Sequence, residues 1–283
     1  PGDRAGSDVE HDKDDFTALV EEFSSALHAE GLMLTAATSP DFERLDVGMD
    51  LPRVAAALDF MNVMAYDYHG AWDNFTGLNT PMYGRKEEKN ADHPGYRFNV
   101  HDSISYYISK GADPKKLNLG TAAYGRGFTI PDIAEVGLYC PAFEPIPGGH
   151  NTHEPGMWSY YDILEGLNND TLPILPDATP KQWQTIVDGC ALSPFIFNGP
   201  YWIGFDNPES IALKAQYANY RGLGGAMVFA LDLDDWSGKF GRKFPLATTV
   251  KEIMESGETL DIDNIIGDNS RCESAPMCDV PEQ

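Results

Sequence analysis

Apolar residues recur every three or four positions between residues 8 and 31, the spacing that gives an α-helix one buried face. The positions are Phe16, Leu19, Val20, Phe23, Ala26 and Leu27, and the pattern ends at a glycine, Gly31. Residues 32–38 and 58–68 are continuous apolar runs that predict strands, with a short helical piece after Pro52 between them. The second run passes directly into a polar, aromatic end, Tyr66-Asp67-Tyr68-His69, which packing alone does not require.

The same alternation continues along most of the chain. We predict helices at 99–110, 208–221 and 246–254, and strands at 116–124 and 225–232, with Gly125-Arg126-Gly127 as a turn. Residues 129–207 are rich in Pro, Gly, Tyr and Trp and do not follow this pattern. The segment is too long for a simple loop between a strand and a helix of a barrel. It is predicted to form an inserted subdomain.

Alternating strands and helices indicate an α/β fold with a parallel sheet, and polar strand ends favour a closed (β/α)8 TIM barrel. Only about four strands are visible, so we predict the second half of such a barrel, about strands 5–8. An inserted α+β subdomain would lie between strands 7 and 8. The expected divisions are 1–128 and 208–256 for the barrel, 129–207 for the insertion and 257–283 for an acidic linker, in which Cys272 and Cys278 open a further module.

Composition limits the class of partner. The chain has 283 residues, 42% of them hydrophobic, and a formal net charge of -24. That charge argues against nucleic acids and anionic membrane surfaces, which both favour Lys and Arg clusters. The sequence contains no apolar run of the roughly 18 to 20 residues that span a bilayer. We expect a monomer that binds a neutral or cationic partner, and a signal peptide outside this chain, which begins at Pro1 without a Met.

Four cysteines allow three pairings, which the sequence does not separate. Our preferred disulfide is Cys140–Cys190, and buried free thiols are the alternative. The tripeptides that start at Asn74 and Asn169 are candidate glycosylation sites. Disulfides and glycosylation would both fit secretion.

Three segments in register carry a family resemblance. They are Met64-Ala65-Tyr66-Asp67, Ala123-Tyr124-Gly125-Arg126, and the run from Gly224 to Asp235 that contains Met227 and Phe229. Together they resemble the glycoside hydrolase family 18 chitinases and chitinase-like lectins, over about residues 1 to 255. The resemblance implies a secreted enzyme that hydrolyses β-1,4-linked N-acetylglucosamine polymers, with chitin or chitooligosaccharide as its partner and no cofactor. It also implies a catalytic motif, D-x-x-D-x-D-x-E, followed by Tyr-Pro-Gly; this chain opens at Pro1-Gly2-Asp3, so we expect the motif upstream.

The resemblance also assigns roles to residues of this chain. Tyr66 would donate its hydroxyl to the substrate N-acetyl group, whose carbonyl attacks the anomeric carbon, and Asp67 would accept hydrogen bonds beside it. Tyr124 and Arg126 would reach over the cleft from the seventh strand and its loop. The remaining substrate-binding candidates are Met64, Trp72, Glu154, Met227 and Phe229.

One departure from the family pattern supports a second hypothesis. The family usually has Trp where this chain has Phe229, so the apolar floor is smaller and lacks an indole N–H. A chitinase-like lectin that binds the oligosaccharide without cutting it is therefore the alternative function. A barrel with no sugar site is a third possibility.

Each candidate also has a purely structural interpretation. Tyr66 and Asp67 could simply cap a strand end, and Trp202 and Trp236 could pack in a core or a loop. The acidic run Asp232, Asp234 and Asp235 could bond to strand-end loops. His69 has no second His or Cys at ligand spacing, so we expect no metal site.

Overall fold

The computed structural model describes residues 11–131, 133–168, 175, 183–260 and 275–279. The α-helices in these ranges are α1 Asp12–Ala29, α2 Phe42–Gly48, α3 Leu51–Ala57, α4 Val100–Ser109, α5 Tyr160–Asn168, α6 Pro208–Tyr220 and α7 Pro245–Ser256. The strands are β1 Thr35–Thr38, β2 Phe60–Val63, β3 Leu117–Ala122, β4 Tyr124–Thr129, β5 Glu144–Pro145, β6 Met157–Ser159, β7 Gln184–Asp188, β8 Ser193–Asn198, β9 Tyr201–Gly204 and β10 Gly225–Phe229. Short 3-10 helices lie at Glu87–Lys89, Pro114–Lys116 and Leu231–Leu233.

A four-stranded parallel sheet forms the first layer, in the order β1-β2-β3-β10. Helices connect its strands, as parallel pairing requires, and their starts are well specified. Asp50 accepts a hydrogen bond from the Arg53 amide at the start of α3, and Asn207 forms a capping box with Ser210 at the start of α6. The predicted α/β class with a parallel sheet is therefore observed.

Helices cover this sheet and form the main core. Met61 of β2 and Leu117 of β3 are fully buried with Ile104 of α4 and Tyr217 of α6. Removing apolar side chains of this size from water contributes roughly 1.5–3 kcal/mol each. This packing fixes the sheet whose carboxyl edge carries the site.

An antiparallel sheet lies between β3 and β10 in the chain, in the order β5-β4-β9-β8-β7, with β6 also paired to β4. It begins at Tyr124, five residues before the predicted start of the insertion. The Gly125-Arg126-Gly127 turn that we predicted is wrong, because these residues lie within β4. A Cβ on Gly125 would lie 2.6 Å from Ile203 Cγ2, so this glycine permits close approach of β9.

A buried ion pair joins the second sheet to α6. Lys214 Nζ donates to Asp206 Oδ2 at 2.6 Å and to the Thr80 carbonyl at 2.7 Å, and both charged side chains are almost fully buried. Loss of one partner would leave an uncompensated buried charge, which typically costs about 3–5 kcal/mol. The pair therefore fixes the end of β9 and the loop at Thr80 against α6.

The predicted Cys140–Cys190 disulfide is wrong, since Cys140 is bonded to Cys278. The described part of the tail pairs with the loop before Cys140: Leu138 donates its amide to Pro276 O, and the Cys278 amide donates to Leu138 O, each at 2.9 Å. Those bonds bring the two Cα atoms to 4.8 Å, within the range that a disulfide spans. Residues 275–279 thus lie against the second sheet, where we expected a linker.

Other predicted features differ in detail. Strand β2 ends at Val63, so residues 64–68 leave the sheet and are available to line a site. Trp202 is fully buried and belongs to the core, whereas Trp236 is exposed. Asn74 is exposed, and Asn169 lies outside the described residues. No helix in the described ranges is both long and apolar enough to cross a membrane.

Candidate functional site

A cleft of about 550 Å³ opens beyond the carboxyl ends of β1 and β2. This is the edge at which parallel α/β sheets hold their ligands. The lining residues are Ser39, Pro40, Asp41, Arg44, Met64, Tyr66, Asp67, Tyr68, Trp72, Asp73 and Phe98. Four of the predicted site residues, Met64, Tyr66, Asp67 and Trp72, are among them.

Asp67 lies in an unusual backbone conformation, with φ at 59°. Non-glycine residues rarely occupy this left-handed region, and they do so where surrounding contacts hold them. The Asp67 amide donates to Asn79 Oδ1 at 2.9 Å, and Asn79 Nδ2 donates to the Tyr124 carbonyl at 3.0 Å. The fully buried Asn79 side chain therefore fixes the backbone that aims the Asp67 carboxylate.

The Asp67 carboxylate accepts three side-chain hydrogen bonds. Arg126 Nε donates to Oδ1 at 2.8 Å and Nη2 donates to Oδ2 at 2.9 Å, while the Tyr124 hydroxyl donates to Oδ1 at 2.7 Å. Two parallel N–H···O bonds define the orientation of both planar groups. The segment after β2 supplies the carboxylate, and β4 supplies both of these donors.

Electrostatics keep the two donors, Tyr124 and Arg126, protonated. Desolvation alone would lower the pKa of the Arg126 guanidinium, but its hydrogen bonds with Asp67 and the charge of that carboxylate outweigh this and raise it. Burial, and then the charge of Asp67, raise the pKa of the Tyr124 phenol well above its usual value. Tyr124 is therefore a neutral donor and Arg126 a cation at any physiological pH.

Tyr66 differs from Tyr124 in having its hydroxyl available. Burial, and to a smaller extent the charge of Asp67, raises the pKa of Tyr66 to about 12. Within the described ranges, no side chain or backbone group forms a hydrogen bond with this hydroxyl. A protonated phenol with no internal partner is suited to donate to a ligand carbonyl.

Phe229 forms an apolar floor beside these groups. Its ring is stacked on Tyr66, with centroids 5.9 Å apart, and meets Tyr124 edge-on at 6.3 Å. The side chain is 49% exposed, so much of one surface remains open to a ligand. Met157 is buried in one cluster with Tyr66 and Tyr124, and the partly buried Met64 and Met227 pack against this cluster.

Trp72 lies in a loop after β2 and is 59% exposed. Its indole packs so closely over Gly70 that a Cβ there would lie 2.4 Å from the ring. Arg126 Cζ is 5.3 Å from the ring centroid, and His69 Nδ1 lies 3.0 Å from Asp73 Oδ2 at the base of the loop. An exposed, braced indole is suited to stack on the apolar face of a sugar.

Glu154 completes one side of the cluster. Arg126 Nη1 lies 3.3 Å from Glu154 Oε1, a longer contact than those to Asp67. The Glu154 side chain is 59% exposed, so this carboxylate retains room for a ligand.

The structure brings together the predicted site residues Tyr66, Asp67, Trp72, Tyr124, Arg126, Glu154 and Phe229, and Met64 and Met227 pack against this group. The sequence interpretation assigned no role to Asn79, Asp73 or Met157. A buried amide that bonds two backbones far apart in sequence leaves no periodic signal, so Asn79 could not be found from pattern. In the described part of the chain, no three His, Cys, Asp or Glu side chains are grouped to hold a metal ion.

Comparison with known proteins gives a family match. The family model described as Glycosyl hydrolases family 18 matches residues 1–234. Chitotriosidase-1 of Mus musculus is 34% identical over 261 residues, which cover 89% of this chain and 52% of the mouse protein. Probable chitinase 10 of Drosophila melanogaster is 35% identical over 251 residues, or 88% of this chain and 10% of the insect protein.

Solved structures agree with these matches. Group II chitinase catalytic domain 2 of Ostrinia furnacalis, in a variant complexed with (NAG)5, has a TM-score of 0.78 and 34% identity over 89% of this chain and 62% of that one. Human YKL-39, described as a pseudo-chitinase with retained chitooligosaccharide binding, has a TM-score of 0.77 and 28% identity, with 87% of this chain and 66% of that chain covered. The chain therefore spans from a tenth to about two thirds of these proteins.

Proposed function

The chain belongs to the glycosyl hydrolases family 18, and on that basis we propose that it forms one wall of a chitinase-type active site. The full-length protein would hydrolyse β-1,4-linked N-acetylglucosamine polymers. The observation that carries this proposal is the Tyr66 hydroxyl, which has no hydrogen-bond partner among the described residues, next to an Asp67 carboxylate held by Tyr124 and Arg126. A neutral donor beside an oriented acceptor matches an N-acetyl group, which has one carbonyl and one N–H.

In the proposed mechanism the substrate N-acetyl carbonyl oxygen bonds to the anomeric carbon of the same sugar as the glycosidic C–O bond breaks, a route known among retaining glycosidases. The leaving sugar oxygen takes a proton from the general acid of the full-length protein, and water then hydrolyses the cyclic intermediate. Tyr66 donates to that carbonyl oxygen and holds it in position. The positive charge that develops on the amide nitrogen then lies near Asp67, whose carboxylate stabilises it. Trp72 and Phe229 cover apolar sugar faces and exclude water.

The proton donor is assigned to the full-length protein. The motif D-x-x-D-x-D-x-E does not occur within these 283 residues, and Asp232-Leu233-Asp234-Asp235 has no Glu at the required spacing. Asp234 and Asp235 instead accept backbone hydrogen bonds, from Ala247 and Gly238 among others. The proposal therefore predicts no hydrolysis by this chain alone.

We also propose that the four parallel strands are strands 5–8 of a (β/α)8 barrel, with the antiparallel sheet inserted between the last two. The strand order β1-β2-β3-β10 supports this, because the insertion lies between β3 and β10. Exposed Phe16, Leu19 and Phe23 on α1 support it as well, because a neighbouring barrel helix would cover them. The divisions we propose are 1–123 and 208–256 for the barrel, 124–207 for the insertion and 257–283 for the tail, so the insertion begins at Tyr124 and not at residue 129 as predicted.

We propose that the full-length protein is secreted and monomeric. The Cys140–Cys278 disulfide and the exposed Asn74 acceptor both suit an oxidising, glycosylating compartment. The strongly acidic charge supports a partner that is neither nucleic acid nor membrane.

A lectin is the alternative function, and Phe229 favours it. A phenyl ring covers less of a sugar than an indole and offers no N–H, so the substrate is held less firmly at the reacting unit. Such a protein would bind chitooligosaccharide without cutting it.

Assaying the full-length protein on a fluorogenic chitotrioside separates the two functions. Turnover that disappears when the glutamate of D-x-x-D-x-D-x-E is changed to Gln supports the enzyme. Chitotriose binding without fluorophore release supports the lectin, and absence of both binding and turnover contradicts both proposals.

A further inference from the structure

An aromatic surface outside the cleft is formed by Trp236 and Tyr161, which belong to different parts of the chain. Their rings are nearly parallel, with an interplanar angle of 15° and centroids 6.2 Å apart. Phe240 meets Tyr161 edge-on at 5.3 Å and supports it from the side. Trp236 remains 53% exposed whereas Tyr161 is partly buried, so the indole presents an aromatic surface to solvent and Tyr161 supports it.

The backbone around Trp236 is held rigidly. Asp235 Oδ1 accepts from the Gly238 amide at 2.8 Å, and its Oδ2 accepts from the Phe240 amide at 3.0 Å. The preceding Asp234 carboxylate is fully buried and accepts from Ala247 N at 3.0 Å. Because the indole is presented by a fixed turn, ordering this segment adds little entropic cost when a ligand stacks on it.

Polar groups surround the aromatic face. Lys239 Nζ lies over the supporting rings, 5.6 Å from the Tyr161 centroid and 5.0 Å from the Phe240 centroid, and it donates to Glu165 Oε1 at 2.7 Å. His150 Nδ1 approaches the same carboxylate at 3.8 Å. The Lys239 and Glu165 charges offset each other, so the rim offers both donors and acceptors to an uncharged ligand.

The aromatic face adjoins the cleft through the segment after β10. Leu233 packs against the cluster that contains Tyr66 and Tyr124, and Trp236 follows it by three residues. Phe229, Leu231 and Trp236 are all about half exposed. Because Leu233 and Trp236 are three positions apart, Trp236 lies within about 10 Å of a residue that packs against the Tyr66 and Tyr124 cluster.

We propose that the Trp236 and Tyr161 pair is an additional sugar-stacking subsite, which binds a distal unit of an N-acetylglucosamine oligomer whose other units occupy the cleft. Its ligand class rests on the proposed function. Aromatic faces with donors and acceptors at the rim are the usual means of binding neutral pyranoses, whose C–H face is apolar and whose edge carries hydroxyls. The subsite would add affinity for long oligomers and none for short ones.

Calorimetric titration of the full-length protein with chitobiose and chitohexaose tests this. Trp236→Ala is expected to weaken chitohexaose binding about tenfold and to leave chitobiose within about twofold of wild type. Trp236→Phe preserves an apolar ring and should weaken chitohexaose binding by about threefold. This second variant keeps the test valid if the alanine variant is unstable. The control Phe143→Ala removes another exposed aromatic, 75% exposed, and should change neither titration.

Unchanged chitohexaose binding by both Trp236 variants would overturn the subsite. The same result is expected if another part of the full-length protein covers the indole, and it overturns the subsite in that case too. Trp72→Ala separates this from failure of the proposed function, since it should weaken both oligomers. If Trp72→Ala changes neither titration, or if wild type binds neither oligomer, the cleft assignment fails and the distal subsite fails with it.

Discussion

Arg126 holds the Asp67 carboxylate at two points, with Nε on Oδ1 at 2.8 Å and Nη2 on Oδ2 at 2.9 Å. The two residues lie 59 positions apart, on the antiparallel sheet and after the parallel sheet respectively. The contact therefore joins the two layers at the site itself. Asp67 is still one-third exposed, so a ligand can reach the carboxylate that Arg126 orients.

Arg126→Lys should weaken chitotriose binding by about tenfold, because an ammonium keeps the charge but cannot form the paired contact. Calorimetric titration of the full-length protein measures the effect. Lys251→Arg, an exchange between the same two cationic residue types at an exposed position of α7, serves as the control. Wild-type affinity in the Arg126 variant would show that Asp67 needs only a nearby cation.

Gly70→Ala should displace the Trp72 indole, because the new Cβ would lie 2.4 Å from the ring. We expect chitotriose affinity to fall about tenfold, the loss expected from removing the stacking surface. A double-mutant cycle provides the check: adding Gly70→Ala to Trp72→Ala should have no further effect. Additive losses would mean that Gly70 acts through some other contact.

Peptide mapping without reduction should recover Cys140 linked to Cys278. The loop closed by this bond spans 138 residues, and loops of this size contribute about 2–5 kcal/mol by restricting the unfolded chain. Cys278→Ser should therefore lower the melting temperature under non-reducing conditions and leave chitotriose affinity unchanged. A Cys140–Cys190 peptide in the map would contradict the structure.

Two partly buried histidines should make the fold sensitive to mild acid. Burial lowers the pKa of His93 and of His101 below the ordinary value of 6.5. The unfolded imidazoles take up protons as pH falls through about 6.5 while the folded ones stay neutral, so stability is full above that value and declines below it. Between about pH 7 and pH 5, the melting temperature of the double variant His93→Gln, His101→Gln should fall by less than that of wild type.

His150→Gln is the matched control for acid sensitivity, since its side chain is 72% exposed. It should follow the wild-type profile. If the double variant also follows that profile, other titrating groups determine the acid response.

The sequence predicts the parallel sheet well because each strand is a compact apolar run between turn signals. Tyr66 and Asp67 are detectable for the same reason, as polar residues at the end of such a run. Strand β4 was missed because Gly125 and Gly127 look like a turn, whereas the structure uses them to let β9 and Ile146 approach closely. Local pattern cannot separate these two uses of glycine.

Contacts between distant segments were the other source of error. The Cys140–Cys278 pairing depends on backbone hydrogen bonds between Leu138 and the tail, which no spacing rule encodes. Asn79 likewise acts by bonding Asp67 and Tyr124, which lie 12 and 45 positions away. The resemblance supplied the site residues, but the geometry that makes them one site came from the fold.

The most direct test of the central claim is whether the Tyr66 hydroxyl recognises the N-acetyl group. Affinities of the full-length protein for chitotriose and for its fully deacetylated counterpart should be measured for wild type and Tyr66→Phe. A lost hydrogen bond of about 1 kcal/mol should reduce the preference for the acetylated trimer roughly fivefold in the variant. An unchanged preference would contradict the assignment of Tyr66 as the N-acetyl donor.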